Sequence, residues 1–409
     1  MAKKTINKEL TGAQDLYNFL FEACNIIRGP VSQDNFKDYI TPLLYYKRIS
    51  DVYDEETEEA LISSGGDKEY ASLPEQHRFV IPDGCHWQEV RERTENLGAA
   101  IVGAMRQIEI ANPDTLYGVL SMFSSQKWTN KAILNDSKIR DLIEHLSKRK
   151  LGNKDYPADL MGDAYEILLK KFADDSKAQA GEFYTPRSVV RLLVHILDPQ
   201  PGETVYDPAC GSGGMLIEAI RYMHDDSLCC GSIFGQEKNV VNAAIAKMNL
   251  FLHGASDFNV MQGDTLRDPK ILQGGNIAKF DCVIANPPFS LENWGATEWS
   301  SDKYKRNIYG TPSDSCGDYA WIQHMICSMS SGKGRMAVVM PQGILFRGNQ
   351  EAEIRKQLVE SDLIEAVVTL GDKLFYGTGL SPCFLIIRRM KQAHHSGRIL
   401  MIDGSKILT

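Results

Sequence analysis

The sequence predicts an α/β protein in which an all-helical N-terminal region precedes a doubly wound, mostly parallel sheet. Apolar residues recur at helical spacing through the first 155 residues, and after residue 160 short β-rich runs alternate with helical ones. Several of those runs are continuously apolar, as in strands that helices cover on both faces. With 409 residues the chain is long enough for two domains, which we place at 1–155 and 156–409.

The helical region shows its periodicity most clearly near the N-terminus. Apolar residues from Leu16 to Ile27 recur at i, i+3 and i+4, and Gly29-Pro30 marks the end of this helix. A second stripe runs from Phe36 to Leu44. Further helical segments are predicted at 90–108, 117–123, 160–172, 188–197, from 213, at 240–252 and at 321–329. We interpret these stripes as core packing.

The predicted strands are short and alternate with the later helices. They cover 203–207, 232–235, 258–261, 280–285, 336–340, 363–370, 383–387 and 399–402. Because strands that alternate with helices usually form crossover units, this order favours parallel pairing.

Charge and cysteine content restrict the function classes. The chain has 45 Lys+Arg against 53 Asp+Glu, so its net charge of −8 repels nucleic acid unless basic patches or a second protein supply the contact. Its nine cysteines form no CxxC pair, and we find neither a signal peptide nor an apolar run long enough for a membrane span. We therefore expect a cytoplasmic protein without membrane contact. Cys210, Cys229-Cys230 and His394-His395 lack metal-ligand spacing, so no metal is expected.

The first chemistry-bearing motif is the glycine-rich stretch Asp207 to Gly214, which follows a predicted strand and opens a helix. Glycines permit a tight turn and a close approach of a ligand to the backbone, and the helix N-terminus offers free N–H groups. Glu237 ends the next predicted strand, where a carboxylate can accept both ribose hydroxyls of a nucleoside. Together these features predict a nucleoside-cofactor site; a glycine-rich turn beside a surface glutamate is the alternative.

The second motif is Asn286-Pro287-Pro288-Phe289, at the end of the predicted strand 280–285. Two consecutive prolines hold the backbone extended and remove two N–H donors. The amide oxygen of Asn286 and the carbonyl of Pro287 can both accept from one –NH2 group, while the ring of Phe289 offers a face for a planar base. This placement predicts a site for a base that carries an amine.

Five motifs follow one another along the chain: GEFYTPR (181–187), DPACGSGG (207–214), the acid Glu237, GDTL (263–266) and NPPF (286–289). This order resembles the amino-methyltransferases that use S-adenosylmethionine, in the γ arrangement with the cofactor motif before the catalytic motif. FKDYITPLLYYKRISDVYD (36–54) and DYAWIQHM (318–325) narrow the resemblance to the modification subunit of type I restriction-modification systems. The resemblance covers nearly the whole chain and implies a Rossmann-like methyltransferase sheet with adenine-specific activity on DNA.

The resemblance also implies the cofactor contacts. The residues expected to close over the methionine end of S-adenosylmethionine are consecutive: Glu182, Phe183, Tyr184, Thr185, Pro186 and Arg187. Ser212, Gly213 and Gly214 would contact the methionine moiety, and Asp207 would take its ammonium group. Asp264 matches the acid that accepts from the adenine amine of the cofactor. For Arg187 a structural role at a helix start, and for Asp264 a role in the turn, are the alternatives.

The catalytic hypothesis is methyl transfer to an extruded base. Asn286 and Pro287 would accept both N–H bonds of the target amine, which frees its lone pair, while Phe289 stacks on the base that has left the helix. Asn at the first motif position, where cytosine N4 enzymes commonly have Ser, favours the N6 amine of adenine. The alternatives are cytosine N4 methylation, N5-glutamine methylation of a protein and a non-enzymatic interaction subunit. Cytosine C5 methylation would need a nucleophilic cysteine, but Pro382-Cys383 heads an apolar strand, so we interpret this cysteine as structural.

The expected partners follow from the same resemblance. The sheet pattern continues to about Ile402 and leaves no room in this sequence for a DNA-reading domain, so we expect the specificity subunit to supply target recognition. A restriction subunit, double-stranded DNA with a flipped adenine and two copies of this chain per complex complete the assembly. Family members usually extend further with C-terminal helices, so either the sequence is truncated or those contacts lie elsewhere. For the polar segment 290–317, ordering on DNA and a disordered surface loop are both open.

Overall fold

The computed structural model describes residues 2–116, 118–120, 125–175, 185–223, 231–255, 257–371 and 381–405. The chain divides into two units, residues 1–178 with 247–254 and residues 179–246 with 255–409. The first unit therefore extends beyond the predicted domain boundary at residue 155. Within the described ranges, no helix is both long and apolar enough to cross a membrane.

The first unit is helical, as the periodicity predicts. Its helices are α1 (Ala2–Ile27), α2 (Lys37–Ser63), α3 (Lys68–Ala71), α4 (Trp87–Arg91), α5 (Leu97–Ala111), α6 (Pro113–Leu116), α7 (Ser125–Thr129), α8 (Asp136–Leu146) and α9 (Ala158–Asp175). Helix α1 ends just before Gly29, whose φ of +104° suits glycine. In the predicted segment 117–123, Leu120 is buried but not helical, and Tyr117 and Phe123 lie outside the described residues.

The second unit contains the sheet. Its strands are β1 (Val205–Asp207), β2 (Ile233–Glu237), β3 (Phe258–Gln262), β4 (Leu272–Gln273), β5 (Asn276–Ile277), β6 (Cys282–Ala285), β7 (Arg335–Pro341), β8 (Ile364–Thr369), β9 (Pro382–Arg388) and β10 (Leu400–Asp403). The remaining α-helices are α10 (Arg187–Leu197), α11 (Gly214–Met223), α12 (Val240–Leu252), α13 (Ala296–Ser300), α14 (Asp318–Ser328) and α15 (Asn349–Glu360), and α12 ends within residues 247–254 of the first unit. Short 3₁₀ helices span Gln33–Asn35, Pro74–Gln76, Gln342–Leu345 and Ala393–His395.

The eight-stranded sheet has the order β10-β8-β9-β7-β6-β1-β2-β3, and β4 and β5 form a separate hairpin. All neighbours in the large sheet are parallel except β9, which runs antiparallel to both β7 and β8. The prediction of a mostly parallel sheet is thus confirmed. Every residue of β6 and β7 is buried, which accounts for their continuous apolar runs.

The strand order places a topological switch point between β1 and β6. From β1 the chain continues outward through β2 and β3, whereas β6 lies on the opposite side of β1 and is followed outward by β7. In open α/β sheets, ligands bind in the crevice beyond the carboxyl ends of the strands at such a point. The glycine-rich turn follows β1 and the Asn-Pro-Pro-Phe motif follows β6, so both predicted motifs lie at this crevice.

Candidate active site

The glycine-rich turn connects β1 to α11 in the conformation that its composition predicts. Gly211 and Gly213 have φ values of +53° and +85°, in the left-handed region that favours glycine. The N–H of Gly213 donates to the carbonyl of Cys210 at 2.8 Å, which closes the turn, and α11 begins at the next residue. A helix N-terminus therefore points into the crevice.

Asp207 ends β1 and is almost completely buried, with 2% of its surface exposed. Its Oδ1 accepts a hydrogen bond from the N–H of Ala209 at 2.9 Å. Burial raises the pKa of Asp207 to about 8; the Ala209 N–H opposes this shift, and the nearby carboxylate of Glu237 adds to it. A positively charged ligand group would stabilise the ionised form of such a carboxyl.

Glu237 ends β2 beside the glycine turn, as predicted. Its Oε2 accepts from the N–H of Gly211 at 2.9 Å, and its Oε1 accepts from the N–H of Asn239 at 2.7 Å. Partial burial raises the pKa of Glu237, although these backbone N–H groups oppose the shift. The two hydrogen bonds fix the carboxylate at the crevice, and its oxygens retain further lone pairs for hydroxyl donors.

Asp264 occupies a turn between β3 and the β4–β5 hairpin. Its Oδ1 accepts from the N–H groups of Leu266 and Arg267, and its Oδ2 lies 2.9 Å from the Nζ of Lys238. Asp264, the predicted acceptor for the cofactor's adenine, thus also has the structural role in the turn that was its alternative. It forms an ion pair with Lys238, an exposed residue that follows Glu237.

Asn286 leaves β6 at the same edge of the sheet. Its Nδ2 donates to the hydroxyl of Thr185 at 2.9 Å. Its Oδ1 is buried and has no hydrogen-bond partner among the described atoms. Pro287 is buried, Pro288 is exposed and Phe289 is half-buried, so the motif presents a buried acceptor, rigid backbone and an accessible ring.

The GEFYTPR motif is described only in part. Glu182, Phe183 and Tyr184 lie outside the described residues, so their predicted roles are untested. Thr185 contacts Asn286, and the carbonyl of Pro186 accepts from Val189 and Val190 in the first turn of α10, where Arg187 is the first residue. The structure thus brings the end of this motif to the catalytic motif.

Sequence reasoning missed the residues that hold the chain just after Phe289. Ser290 has a φ of +50°, unusual for a residue with a side chain, and its N–H donates to Oδ1 of Asp318 at 2.7 Å. Asp318 is buried, and its Oδ2 lies 2.7 Å from Nη1 of Arg347, whose Nη2 also donates to the hydroxyl of Ser290. Asp318 stands in the DYAWIQHM motif, but nothing in that motif indicates its partner.

The segment 290–317, for which the sequence left a disordered surface loop and ordering on DNA both open, has a defined conformation in the structure. Helix α13 lies within it, and Trp294 and Trp299 are almost fully buried with their rings 5.6 Å apart. Arg306 is 1% exposed and pairs with Asp302. These two tryptophans therefore anchor the segment in the core of the second unit, while most of its other residues are exposed or half-buried.

Cys383 is completely buried in β9, as its structural interpretation requires. Burial raises the pKa of its thiol to about 12. A thiol that is neutral and shielded from solvent is a poor nucleophile, which argues against the cytosine C5 alternative.

The fold and the position of the site define an α/β protein of the S-adenosylmethionine-dependent methyltransferase class. A protein from Listeria monocytogenes that is provisionally assigned to the class I S-adenosylmethionine-dependent methyltransferases has a similar structure, with a TM-score of 0.54 and 16% identity over 71% of this chain and 89% of that chain. At this identity the likeness concerns the fold alone.

Comparison at the sequence level identifies the family. The N-6 DNA Methylase model matches residues 156–409, and the HsdM N-terminal domain matches residues 16–146. The Type I restriction enzyme MjaVIII methylase subunit of Methanocaldococcus jannaschii is 33% identical over 97% of this chain and 69% of its own length. The chain belongs to the N-6 DNA methylase family, among the methylase subunits of type I restriction enzymes.

Two further relatives agree with this assignment. The MjaVII methylase subunit of the same organism is 34% identical over 88% of this chain, which spans 63% of that relative. The methyltransferase subunit of a type I restriction-modification system from Streptococcus thermophilus has a TM-score of 0.78 and 26% identity, covering 96% of this chain and 88% of that chain.

Proposed function

We propose that the chain transfers a methyl group from S-adenosylmethionine to the exocyclic N6 amine of adenine in DNA, as the modification subunit of a type I restriction-modification complex. The observation that carries this proposal is the buried Oδ1 of Asn286, which has no hydrogen-bond partner among the residues that the structure describes and stands beside two prolines at the switch point of the sheet. A buried acceptor without a partner costs free energy in the resting protein, and an amine donor from a bound base would satisfy it.

The residues at the switch point fit S-adenosylmethionine. Asp207 is a buried carboxyl with a raised pKa, suited to the ammonium group of the cofactor, and Glu237 holds a carboxylate at the crevice for the ribose. Ser212, Gly213 and Gly214, at the start of α11, would contact the methionine moiety. Residues 182–187 would close this end of the site, and Asp264 would accept from the cofactor's adenine.

Bound S-adenosylmethionine would supply an electrophilic methyl group. The work of the protein is then to position the target amine and localise its lone pair. Asn286 and the carbonyl of Pro287 would accept its two N–H bonds, and each such bond is worth roughly 1–3 kcal/mol when buried. Phe289 would stack on the flipped base, and Pro288 would keep the backbone extended. Alignment contributes more, up to about 7–11 kcal/mol in well-oriented reactions.

The proposed partners account for the acidic composition. With a net charge of −8, the chain gains little from general attraction to DNA. We assign target recognition to a specificity subunit and cleavage to a restriction subunit, with two copies of this chain per complex on double-stranded DNA. A cytoplasmic location is part of this proposal.

The test is methylation by the chain purified with its specificity subunit, using tritiated cofactor and unmodified DNA. Wild type and Asn276→Ala, an exposed asparagine in the β4–β5 hairpin, should form 6-methyladenine. Asn286→Ala should bind cofactor but form none. Label in protein glutamine or N4-methylcytosine would refute the proposal. The chain alone should bind cofactor and methylate no defined site.

A further inference from the structure

We infer that Thr185 is a positioning residue that fixes the orientation of the catalytic amide of Asn286. The Nδ2 of Asn286 donates to Oγ1 of Thr185 at 2.9 Å, although the two residues are 101 positions apart in the chain. This contact leaves Oδ1 as the end of the amide without a hydrogen-bond partner in the described part of the chain. The inference rests on the proposed function, because it concerns the acceptor that the target amine would use.

The chemistry of an amide makes this orientation consequential. One end of the Asn side chain carries two donors and the other end only an acceptor, and a half-turn about χ2 exchanges them. In the flipped state Nδ2 would face the target, and two N–H groups would confront each other. The Thr185 hydroxyl accepts from Nδ2 and so favours the productive state, while its own proton remains available to a second acceptor.

The anchoring of Thr185 suits this role. The next residue, Pro186, accepts hydrogen bonds from the first turn of α10, and that helix buries Val189, Val190 and Leu193. Its partner Asn286 follows the fully buried strand β6. The hydrogen bond therefore joins two rigid elements, so its geometry is set by the fold of the second unit.

The test combines isosteric substitutions with a changed acceptor, in the complex of the full chain with its specificity subunit. Thr185→Val keeps the shape and removes the hydroxyl, and kcat at saturating cofactor should fall about tenfold. A tenfold change corresponds to roughly 1.4 kcal/mol, the scale of one hydrogen bond. Thr185→Ser should recover most of that loss. In an Asn286→Asp background both side-chain oxygens accept, so Thr185→Val should change kcat less than about twofold.

A second readout does not depend on activity. In the chain labelled with ¹⁵N-asparagine, the side-chain amide signal of Asn286 is identified by its loss in Asn286→Ala. This signal should shift in Thr185→Val and return toward its wild-type position in Thr185→Ser. An unshifted signal, or a Thr185→Val variant that loses only cofactor affinity, would overturn the inference. An inactive wild-type complex that still shows the shift would count against the proposed function alone.

Discussion

Cofactor binding at neutral pH should release nearly one proton from Asp207. Burial raises the pKa of this carboxyl to about 8 in the free chain. A group with that pKa is about 90% protonated at pH 7. An ammonium group bound beside Asp207 favours the carboxylate and lowers its pKa, so binding should release about 0.9 of a proton at pH 7, about half a proton at pH 8 and less at higher pH.

The raised pKa of Asp207 also lowers the stability of the cofactor-free chain at neutral pH. A carboxyl whose pKa is higher in the folded state stabilises the fold fully below its unfolded pKa of 3.8, and this contribution disappears as pH rises through 8. Between pH 3.8 and 7 the loss is about 4 kcal/mol, at roughly 1.4 kcal/mol per pH unit. Asp207→Asn, which keeps an acceptor for the Ala209 N–H, should therefore raise the unfolding free energy at pH 7 by up to about 4 kcal/mol and abolish cofactor binding.

Two measurements check this reasoning. Calorimetric titration of cofactor in buffers of different ionisation enthalpy gives the proton release, and denaturant unfolding of the free chain from pH 5 to 9 gives the stability difference. Asp257→Asn removes an exposed carboxyl and should change neither result. Proton release near zero at pH 7, or parallel stability curves for wild type and Asp207→Asn, would refute the raised pKa as the link between binding and stability.

Three further predictions concern other contacts. Glu203→Gln should lower the free energy of unfolding in urea by about 3 kcal/mol at pH 7, because the ion pair with Arg335 holds the pKa of buried Glu203 at about 2. This stabilisation is present above pH 4.5 and is lost as pH falls toward 2. The difference in unfolding free energy between wild type and variant should therefore be smaller at pH 3. Asp318→Asn retains an acceptor for the Ser290 N–H, whereas Asp318→Ala removes it. The KM for DNA in steady-state kinetics should therefore rise less in Asp318→Asn than in Asp318→Ala. Phe289→Ala should weaken capture of the flipped base about tenfold, measured by 2-aminopurine fluorescence, since base stacking is worth about 1–3 kcal/mol.

The fold was accessible from sequence because its strands are short apolar runs between amphipathic helices. The bounds of these strands agree with the predicted bounds to within about two residues. Phe280 illustrates the remaining error: it is buried and apolar, yet it forms only an isolated bridge with Met329. The antiparallel direction of β9 could not be predicted, since a buried apolar run looks the same in either direction.

The sequence predicts only those parts of the site that lie within local motifs. Asp207 and Glu237 end parallel strands and Asn286 directly follows one, so strand prediction alone brings them to one edge. The contact between Thr185 and Asn286 depends on how two distant segments pack, and no spacing in the sequence encodes it. Asp318 escaped notice for the same reason, because its partner Ser290 stands in a different segment.

Arg306 shows why the order of the segment 290–317 could not be predicted from its sequence. A basic residue in a polar stretch predicts a solvated surface, since arginine is rarely fully buried. Here each of its five N–H donors has an acceptor, at 2.7 to 3.2 Å: both carboxylate oxygens of Asp302, the carbonyls of Thr265 and Leu266, and Nδ1 of His324. Lysine, with three donors, could not satisfy all of these acceptors.

The same hydrogen bonds keep His324 neutral and connect it to Tyr206 in β1. Its Nδ1 accepts from Arg306, so the ring proton resides on Nε2, which lies 3.1 Å from the hydroxyl of Tyr206. Burial and the adjacent guanidinium lower the pKa of His324. Because Tyr206 precedes Asp207 and the Thr265 carbonyl follows Asp264, one buried guanidinium connects two of the predicted cofactor acids, Asp207 and Asp264, to the segment that follows the catalytic motif. Loosening that segment should therefore weaken cofactor binding as well as base capture.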